Sequence, residues 1–175
     1  MEAFNSDGLR SLLTTIQADH MAEKTLRYPG HINLIKALKS SGFFNETPIT
    51  MNGAMISPLD FTKKIMFPQW QLQQGEEDHT FMRILVEGIT KSGLEKSLQW
   101  DLYDRYDPIK KVHSMARTTG YAATSALRLM TSGTFNQPGI HLPEQIGKNK
   151  AYTDFILDQL RQRGVDYSFT SKELA

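Results

Sequence analysis

Residues 80–103 read TFMRILVEGITKSGLEKSLQWDLY, and this stretch decides the fold class. Apolar side chains occupy every second position in both halves, which is the pattern of two β-strands that share an apolar face. The segment Lys91-Ser92-Gly93 between them predicts a hairpin loop, so the two strands pair antiparallel. The shared apolar face carries Met82, Ile84, Val86, Leu98, Trp100 and Leu102.

The other face of the second strand is polar. It carries Gln99, Asp101, Tyr103 and Arg105. One face of an antiparallel sheet can stand in water, so we expect this side either to be solvated or to contact a partner, and a homodimer fits the second case. Charges of the segment 101–107 fall on both faces, which favours a salt-bridged sheet edge over acid or base chemistry.

Elements on either side of the hairpin complete an α+β fold, with a mixed, largely antiparallel sheet and helices packed on one face. We expect the chain to divide into an α+β region, 1–112, and a C-terminal helical segment, 113–175. Helices are expected from His31 to a cap at Gly42, from Ser57 to Met66 with a stop at Pro68, from Ser114 to Met130 and from Lys150 to Arg163. Other expectations are a short helix capped by Asn5, Ser6 and Asp7, strands at 23–28 and 165–170, and a loop at 45–56.

Composition excludes several classes of function. The net charge is +1 and the charged residues are 22% of the chain, without a basic stripe, so nucleic acid is not an expected partner. The chain lacks cysteine, a secretory leader and an apolar run of membrane-spanning length. We therefore expect a cytoplasmic protein that does not bind membranes.

Familiar catalytic motifs are also missing from the sequence. The five histidines never fall at a metal-binding spacing, so no metal site is expected. There is no GxSxG elbow, no GxGxxG turn and no Walker loop. A nucleotide-binding domain is therefore not expected within this chain.

The stretch TLRYPGH, residues 25–31, is the strongest candidate for a ligand site. It places Arg27 at the end of a strand, just before a turn that opens a helix. A guanidinium matches a carboxylate in bidentate fashion, and the first amides of the helix from His31 would add positive potential. The alternative is a solvated or salt-bridged structural arginine.

A second candidate is SMARTTGY, residues 114–121. Its hydroxyls and Arg117 could hold an anion at a helix start. Small residues in such a position also serve to bring another backbone close, and the composition of the helix leaves both interpretations open.

Several ordered motifs together resemble one family. They are EAFNSDGL (2–9), TLRYPGH (25–31), DHTFMR (78–83), YDRYD (103–107), SMARTTGY (114–121) and GIHLPE (139–144). In this order they resemble the C-terminal part of glutamate-forming saccharopine dehydrogenases and of the related lysine 6-dehydrogenases. The similarity spans nearly the whole chain.

The resemblance implies an oxidoreductase of lysine metabolism and amino-acid biosynthesis. In that family an N-terminal Rossmann domain holds NAD or NADP, and a second domain binds an amino-acid-like substrate and forms a homodimer. This chain matches the second part only. The resemblance implies that residues 1–112 are the substrate-binding and dimerisation region, and that residues 113–175 return to the sheet or dock on the cofactor domain. The resemblance thus implies that the Rossmann domain of the same polypeptide is missing here, and that the chain alone binds no cofactor and is inactive.

The resemblance also implies roles for individual residues. Arg27 would clamp a substrate carboxylate, with Tyr28 beside it. The family has a polar motif next to the substrate at Asn5, Ser6 and Asp7, but Ser6 and Gly8 depart from the charged and hydroxyl residues expected there. Lysine 6-dehydrogenase and carboxynorspermidine dehydrogenase activities therefore stay open beside saccharopine dehydrogenase.

The helix from Ser114 is expected to dock on the cofactor domain. Arg117, Thr118 and Thr119 would then lie near that domain, with the two threonines near the nicotinamide. The alternative function is a stand-alone ligand-binding or protein-interaction module that kept the fold without enzymatic activity.

Overall fold

The computed structural model describes residues 1–73 and 75–174. The chain forms two compact units, residues 1–74 (unit 1) and residues 75–175 (unit 2). Within the described residues every strand pairing is antiparallel. The predicted α+β class is therefore confirmed, and the division at 112/113 stays a prediction.

The described residues of unit 1 form two two-stranded antiparallel sheets and three helices. The strands Glu2–Asn5 (β1) and Lys24–Arg27 (β2) pair with Glu2 opposite Arg27 and Asn5 opposite Lys24. The elements are β1 (Glu2–Asn5), α1 (Leu12–Thr15), β2 (Lys24–Arg27), α2 (His31–Ser40), β3 (Ile49–Met51), β4 (Ala54–Ile56) and α3 (Pro58–Trp70).

The start of unit 1 differs from the prediction. Asn5 ends a strand and does not cap a helix, because the backbone of β1 pairs with β2 instead. Helix α1 begins only at Leu12, after Ser11. The predicted strand at 23–28 and the helix from His31 are confirmed.

Two further expectations for unit 1 were wrong. The segment 45–56 is not a plain loop, since Asn52 and Gly53 form the turn between β3 and β4. Their φ angles are 52° and 79°, the left-handed pair that a two-residue hairpin turn requires. Pro68 does not stop α3, which runs on to Trp70. A proline this close to the helix end costs few backbone hydrogen bonds.

The described residues of unit 2 form a three-stranded sheet with helices. Its strands, in order across the sheet, are His79–Ile89 (β5), Glu95–Arg105 (β6) and Tyr167–Glu173 (β7). The hairpin loop around Ser92 and the last strand are confirmed, although β7 begins and ends a few residues later than expected. The elements are β5 (His79–Ile89), β6 (Glu95–Arg105), α4 (Ser114–Thr131), α5 (Pro143–Ile146), α6 (Lys150–Arg161) and β7 (Tyr167–Glu173).

The core of unit 2 lies at one end of the apolar sheet face. Leu102 of β6 packs with Leu160 of α6 and with Val165, and each is at most 4% exposed. Helices α4 and α6 thus cover this face, as predicted. They do not cover all of it, because Ile84 and Val86 remain 44% and 50% exposed.

Helices α4 and α6 are joined by polar contacts around Tyr121. The guanidinium of Arg163 lies 4.9 Å from the centre of the Tyr121 ring and donates to Thr124 Oγ1 at 2.7 Å and to Ser125 Oγ. By contrast, the small side chains of Ala116, Ala122 and Ala123 are exposed. Within the described residues, the alanine face of α4 is therefore not what brings α6 close.

Candidate functional site

Arg27 lies at the end of β2 and is exposed. Its Nη1 donates to the neighbouring Leu26 carbonyl at 2.8 Å. No carboxylate of the described residues forms an ion pair with it. Its guanidinium therefore has donors to spare for a ligand.

Glu2 lies opposite Arg27 in the strand pair, but its carboxylate accepts hydrogen bonds at the start of helix α2. The amide of Ile32 donates to Glu2 Oε1 at 2.7 Å, and the amide of Gly30 donates to Oε2 at 3.2 Å. The Ile32 hydrogen bond is the main cause of a lowered Glu2 pKa. The expectation that these amides would assist a bound ligand was wrong, because the chain supplies its own anion.

A cluster of polar side chains extends along the same face of β2. Ser6 Oγ donates to the carboxylate of Glu23 and lies 2.9 Å from Thr25 Oγ1. Strand periodicity puts Glu23, Thr25 and Arg27 on one face, with roughly 7 Å between successive members. We call Ser6, Glu23, Thr25 and Arg27 the Arg27 patch.

Other predicted binding residues are not drawn into this patch. Asn5 lies opposite Lys24, on the other face of the strand pair. Asp7 forms an exposed ion pair with Arg10 at 3.3 Å, and Tyr28 is 84% exposed. Their predicted roles stay predictions.

Glu23 was missed by the sequence reasoning. The signal was present, since Glu23 shares its two-residue periodicity with Thr25 and Arg27 in the predicted strand. Gly8 lies against the Glu23 side chain, because a Cβ at position 8 would be only 2.7 Å from it. The amide of Gly8 donates to Glu23 Oε2 at 3.3 Å.

The patch combines a cation and an anion on one face. A guanidinium binds a carboxylate, and a carboxylate binds an ammonium group. Arg27 and Glu23 are two strand steps apart, about 14 Å along the backbone, so a ligand that bonded both would be an elongated molecule with a carboxylate and an ammonium group.

The start of α4 holds an anion, but the anion belongs to the chain. Asp78 accepts from the amides of Ser114 at 2.6 Å and Met115 at 2.9 Å. Burial raises the pKa of Asp78, but the Met115 and Ser114 hydrogen bonds outweigh it, so the net shift is downward. This helix end is not available to a ligand.

Arg117, on the first turns of α4, is 6% exposed. Its Nε donates to Asp104 at 3.1 Å, its Nη1 to Asp107 at 2.9 Å, and its Nη2 to the Gly164 carbonyl at 3.2 Å. The Asp104 hydrogen bond is the main cause of its raised pKa. Arg117 therefore ties β6 to the loop after α6.

The neighbouring threonines differ from each other. Thr118 Oγ1 donates to the Ser114 carbonyl at 3.0 Å, whereas Thr119 is exposed. On the other sheet face, Arg83 Nε donates to Asp101 at 2.6 Å, so the predicted ion pair is present. The predicted sheet edge is wrong at this position, because Asp101 lies on the central strand β6, between Arg83 of β5 and Ser168 of β7.

The long helices of this chain begin on its own side chains. In each described helix of ten residues or more, a side chain of the chain bonds at least one of the first amides. The capping residues are Glu2 for α2, Ser57 for α3, Asp78 for α4 and Asn149 for α6.

Two further features are absent from residues 1–73 and 75–174. No group of three or more His, Cys, Asp or Glu side chains is placed to hold a metal ion. No helix there combines the length and the apolar character needed to cross a bilayer.

A comparison with protein families decides the relationship. The family model named Saccharopine dehydrogenase C-terminal domain matches residues 1–165. The chain belongs to the saccharopine dehydrogenase C-terminal domain family. The predicted resemblance is thereby confirmed, and the match includes the Arg27 patch and all of α4. As a member of this family, the chain is a substrate-binding domain of an oxidoreductase family.

Proposed function

We propose that this chain binds the amino-acid substrate of an NAD(P)-dependent oxidoreductase that acts on the C–N bond of saccharopine or lysine, in cytoplasmic lysine metabolism. The family match over residues 1–165 carries the proposal. The exposed guanidinium of Arg27 supports it, because a substrate of this class always presents a carboxylate.

The Arg27 patch supplies binding and orientation. Arg27 holds a substrate carboxylate in bidentate fashion, and Glu23 accepts from an ammonium group of the same molecule. Ser6 bonds the Glu23 side chain and is itself bonded to Thr25. Hydride transfer is assigned to the cofactor domain of the parent enzyme, because the cofactor carries the redox chemistry.

Helix α4 is the proposed docking surface for that cofactor domain. Its exposed face carries Ala116, Thr119 and Ala123, and the small side chains permit close approach of another backbone. Thr119 is the better of the two threonines to reach the nicotinamide, because it is exposed, whereas Thr118 is half-buried and bonds the Ser114 carbonyl.

Calorimetric titration of the 175-residue chain with saccharopine and with L-lysine tests the substrate assignment. Arg27→Ala is expected to weaken binding roughly tenfold or more, the usual worth of a hydrogen bond to a charged group. Arg27→Lys should restore part of the affinity, because it keeps the charge and loses the fork. Lys24→Ala, on the other strand face, is the matched control and should bind normally.

Three results would contradict the proposal. One is saturable binding of NADP to the chain alone. The second is equal loss of affinity in Arg27→Ala and Lys24→Ala. The third is failure of either amino acid to bind a chain that is folded by circular dichroism, which would favour an interaction module without enzymatic activity.

We place the proposed homodimer on the uncovered part of the apolar sheet face, not on the polar face that the sequence pattern offered as a partner surface, because exposed apolar side chains gain most from being covered. Ile84, Val86 and Phe169 are 44%, 50% and 55% exposed there. Val86→Glu is expected to shift the chain from dimer to monomer in sedimentation equilibrium. Leu85→Glu, at the neighbouring position on the opposite face, is the control and should leave the dimer intact. A dimer broken by Leu85→Glu and not by Val86→Glu would reject this face.

A further inference from the structure

Unit 2 contains a cavity that the proposed function does not use. Its volume is about 460 Å³, within the size range of sites for small organic molecules. It lies between the segment after α4 and the start of α6. All of its lining residues belong to the described part of unit 2.

The cavity has an aromatic wall. Phe135 is 7% exposed and meets two rings edge-on, His141 at 5.0 Å and Tyr152 at 5.6 Å between centroids. His141 is held in place by a 3.2 Å hydrogen bond from its Nε2 to the Pro138 carbonyl. Ile146 adds aliphatic surface. This wall suits an apolar ligand body.

Two side-chain amides that line the cavity have their oxygens bonded to backbone amides. Gln145 Oε1 accepts from the Leu142 amide at 3.0 Å, and Asn149 Oδ1 accepts from the Ala151 amide at 3.0 Å. Because the oxygen of each amide is occupied, its NH₂ group is left to donate. The structure describes no acceptor for either NH₂ group.

The charge at the cavity is positive. Lys150 is paired with Asp154 at 2.6 Å, whereas Lys148 has no ion-pair partner among the described residues. No carboxylate lines the cavity. The lining therefore offers one cation and several neutral donors without a competing anion.

From this geometry we propose that the cavity binds a small carboxylate with an apolar body. Lys148 and the two amide NH₂ groups hold the carboxylate, and the rings of Phe135 and Tyr152 contact the body. One unpaired lysine matches a single negative charge. An apolar wall favours such a molecule over an inorganic anion, which offers nothing to bury.

Benzoate is the probe, and ¹H–¹⁵N NMR of the full 175-residue chain is the measurement. The side-chain NH₂ signals of Gln145 and Asn149 are read directly, so contact is seen at the proposed donors. We expect both signals to shift saturably with benzoate and not with benzamide, which keeps the ring and lacks the charge. Inorganic phosphate should shift them far less.

Lys148→Gln should weaken benzoate binding at least about tenfold, the factor that corresponds to one hydrogen bond to a charged group. The matched control is Lys172→Ala, an exposed lysine on β7 without a partner in the described chain, which should bind benzoate normally. Because both lysines are exposed, the fold is expected to survive, and the backbone spectrum checks this.

Any of four outcomes overturns the proposal. These are unshifted NH₂ signals in millimolar benzoate, equal binding of benzamide, phosphate binding as strong as that of benzoate, or equal weakening by the two lysine substitutions. None of them bears on the Arg27 patch, so failure here is separate from failure of the proposed function.

Discussion

Single carboxylates determine how the two helices nearest the candidate motifs begin. Glu2 bonds the amides of Gly30 and Ile32, and Asp78 bonds those of Ser114 and Met115. A negative charge at a helix N-terminus is favoured by the free amides and by the helix dipole. The sequence suggested that both helix starts could bind an external anion, but in both the anion is a carboxylate of the chain itself.

The lowered pKa of Glu2 predicts a pH-dependent stability. A carboxylate whose pKa is lower in the folded than in the unfolded state stabilises the fold above its ordinary value of 4.5, and this contribution is lost as the pH falls through the folded pKa. Glu2→Gln should therefore lower the free energy of unfolding near neutral pH and flatten its decline in acid. Urea unfolding over a pH series measures both effects.

Glu46→Gln is the control for this experiment. Glu46 is exposed and has no partner among the described residues, so its substitution should leave the pH profile of the wild type unchanged. Parallel profiles for wild type and Glu2→Gln would refute a role for Glu2 as the cap of α2.

At the scale of elements, the local sequence was sufficient to predict a helix or strand where the element carries its own cap or turn residues. Ser57 followed by Pro58 marks the start of α3, and the cap is observed with Ser57 Oγ accepting from the Asp60 amide at 3.3 Å. The Asn52-Gly53 pair carried an equally strong hairpin signal, but strands of three residues leave almost no periodicity to read.

Gly53→Ala is expected to destabilise the β3–β4 hairpin by about 1 kcal/mol, since φ of +79° strains any residue with a Cβ. Chemical denaturation gives the free energy, and hydrogen exchange shows whether the amides of this hairpin exchange faster.

Gly88→Ala is the comparison for that substitution. Gly88 lies in β5 without a left-handed φ, and a Cβ there meets nothing within 4 Å. Alanine should therefore be neutral or slightly stabilising at this position. Equal losses in the two variants would disprove the strain at Gly53.

At the scale of the whole molecule, the Arg117 network joins the parts of unit 2. Arg117 sits on α4, Asp104 on β6, and the Gly164 carbonyl lies between α6 and β7. Asp104 and Arg117 are 5% and 6% exposed, so each charge depends on the other.

Arg117→Met should cost about 3–5 kcal/mol, because it leaves the Asp104 carboxylate buried without its cation. Adding Asp104→Leu should recover much of this loss, since the double variant buries no unpaired charge. Thermal unfolding, monitored by the hydrogen exchange of residues 75–174, measures the loss in the single variant and the recovery in the double variant. Additive losses in the double variant would mean that the pair is not coupled.

The sequence alone determined the hairpin of unit 2, the start of each long helix and the family. These features depend on periodicities and caps that span a few residues, or on the order of motifs along the chain. Only the tertiary structure decided which side chains bond the amides at the starts of α2 and α4. Glu2 reaches amides 28 and 30 residues away, and Asp78 reaches amides 36 and 37 residues away. Contacts at such separations form only when the whole backbone folds. A local pattern therefore does not show that the helix starts at His31 and Ser114 are bonded by carboxylates of the chain, while the Arg27 guanidinium remains exposed.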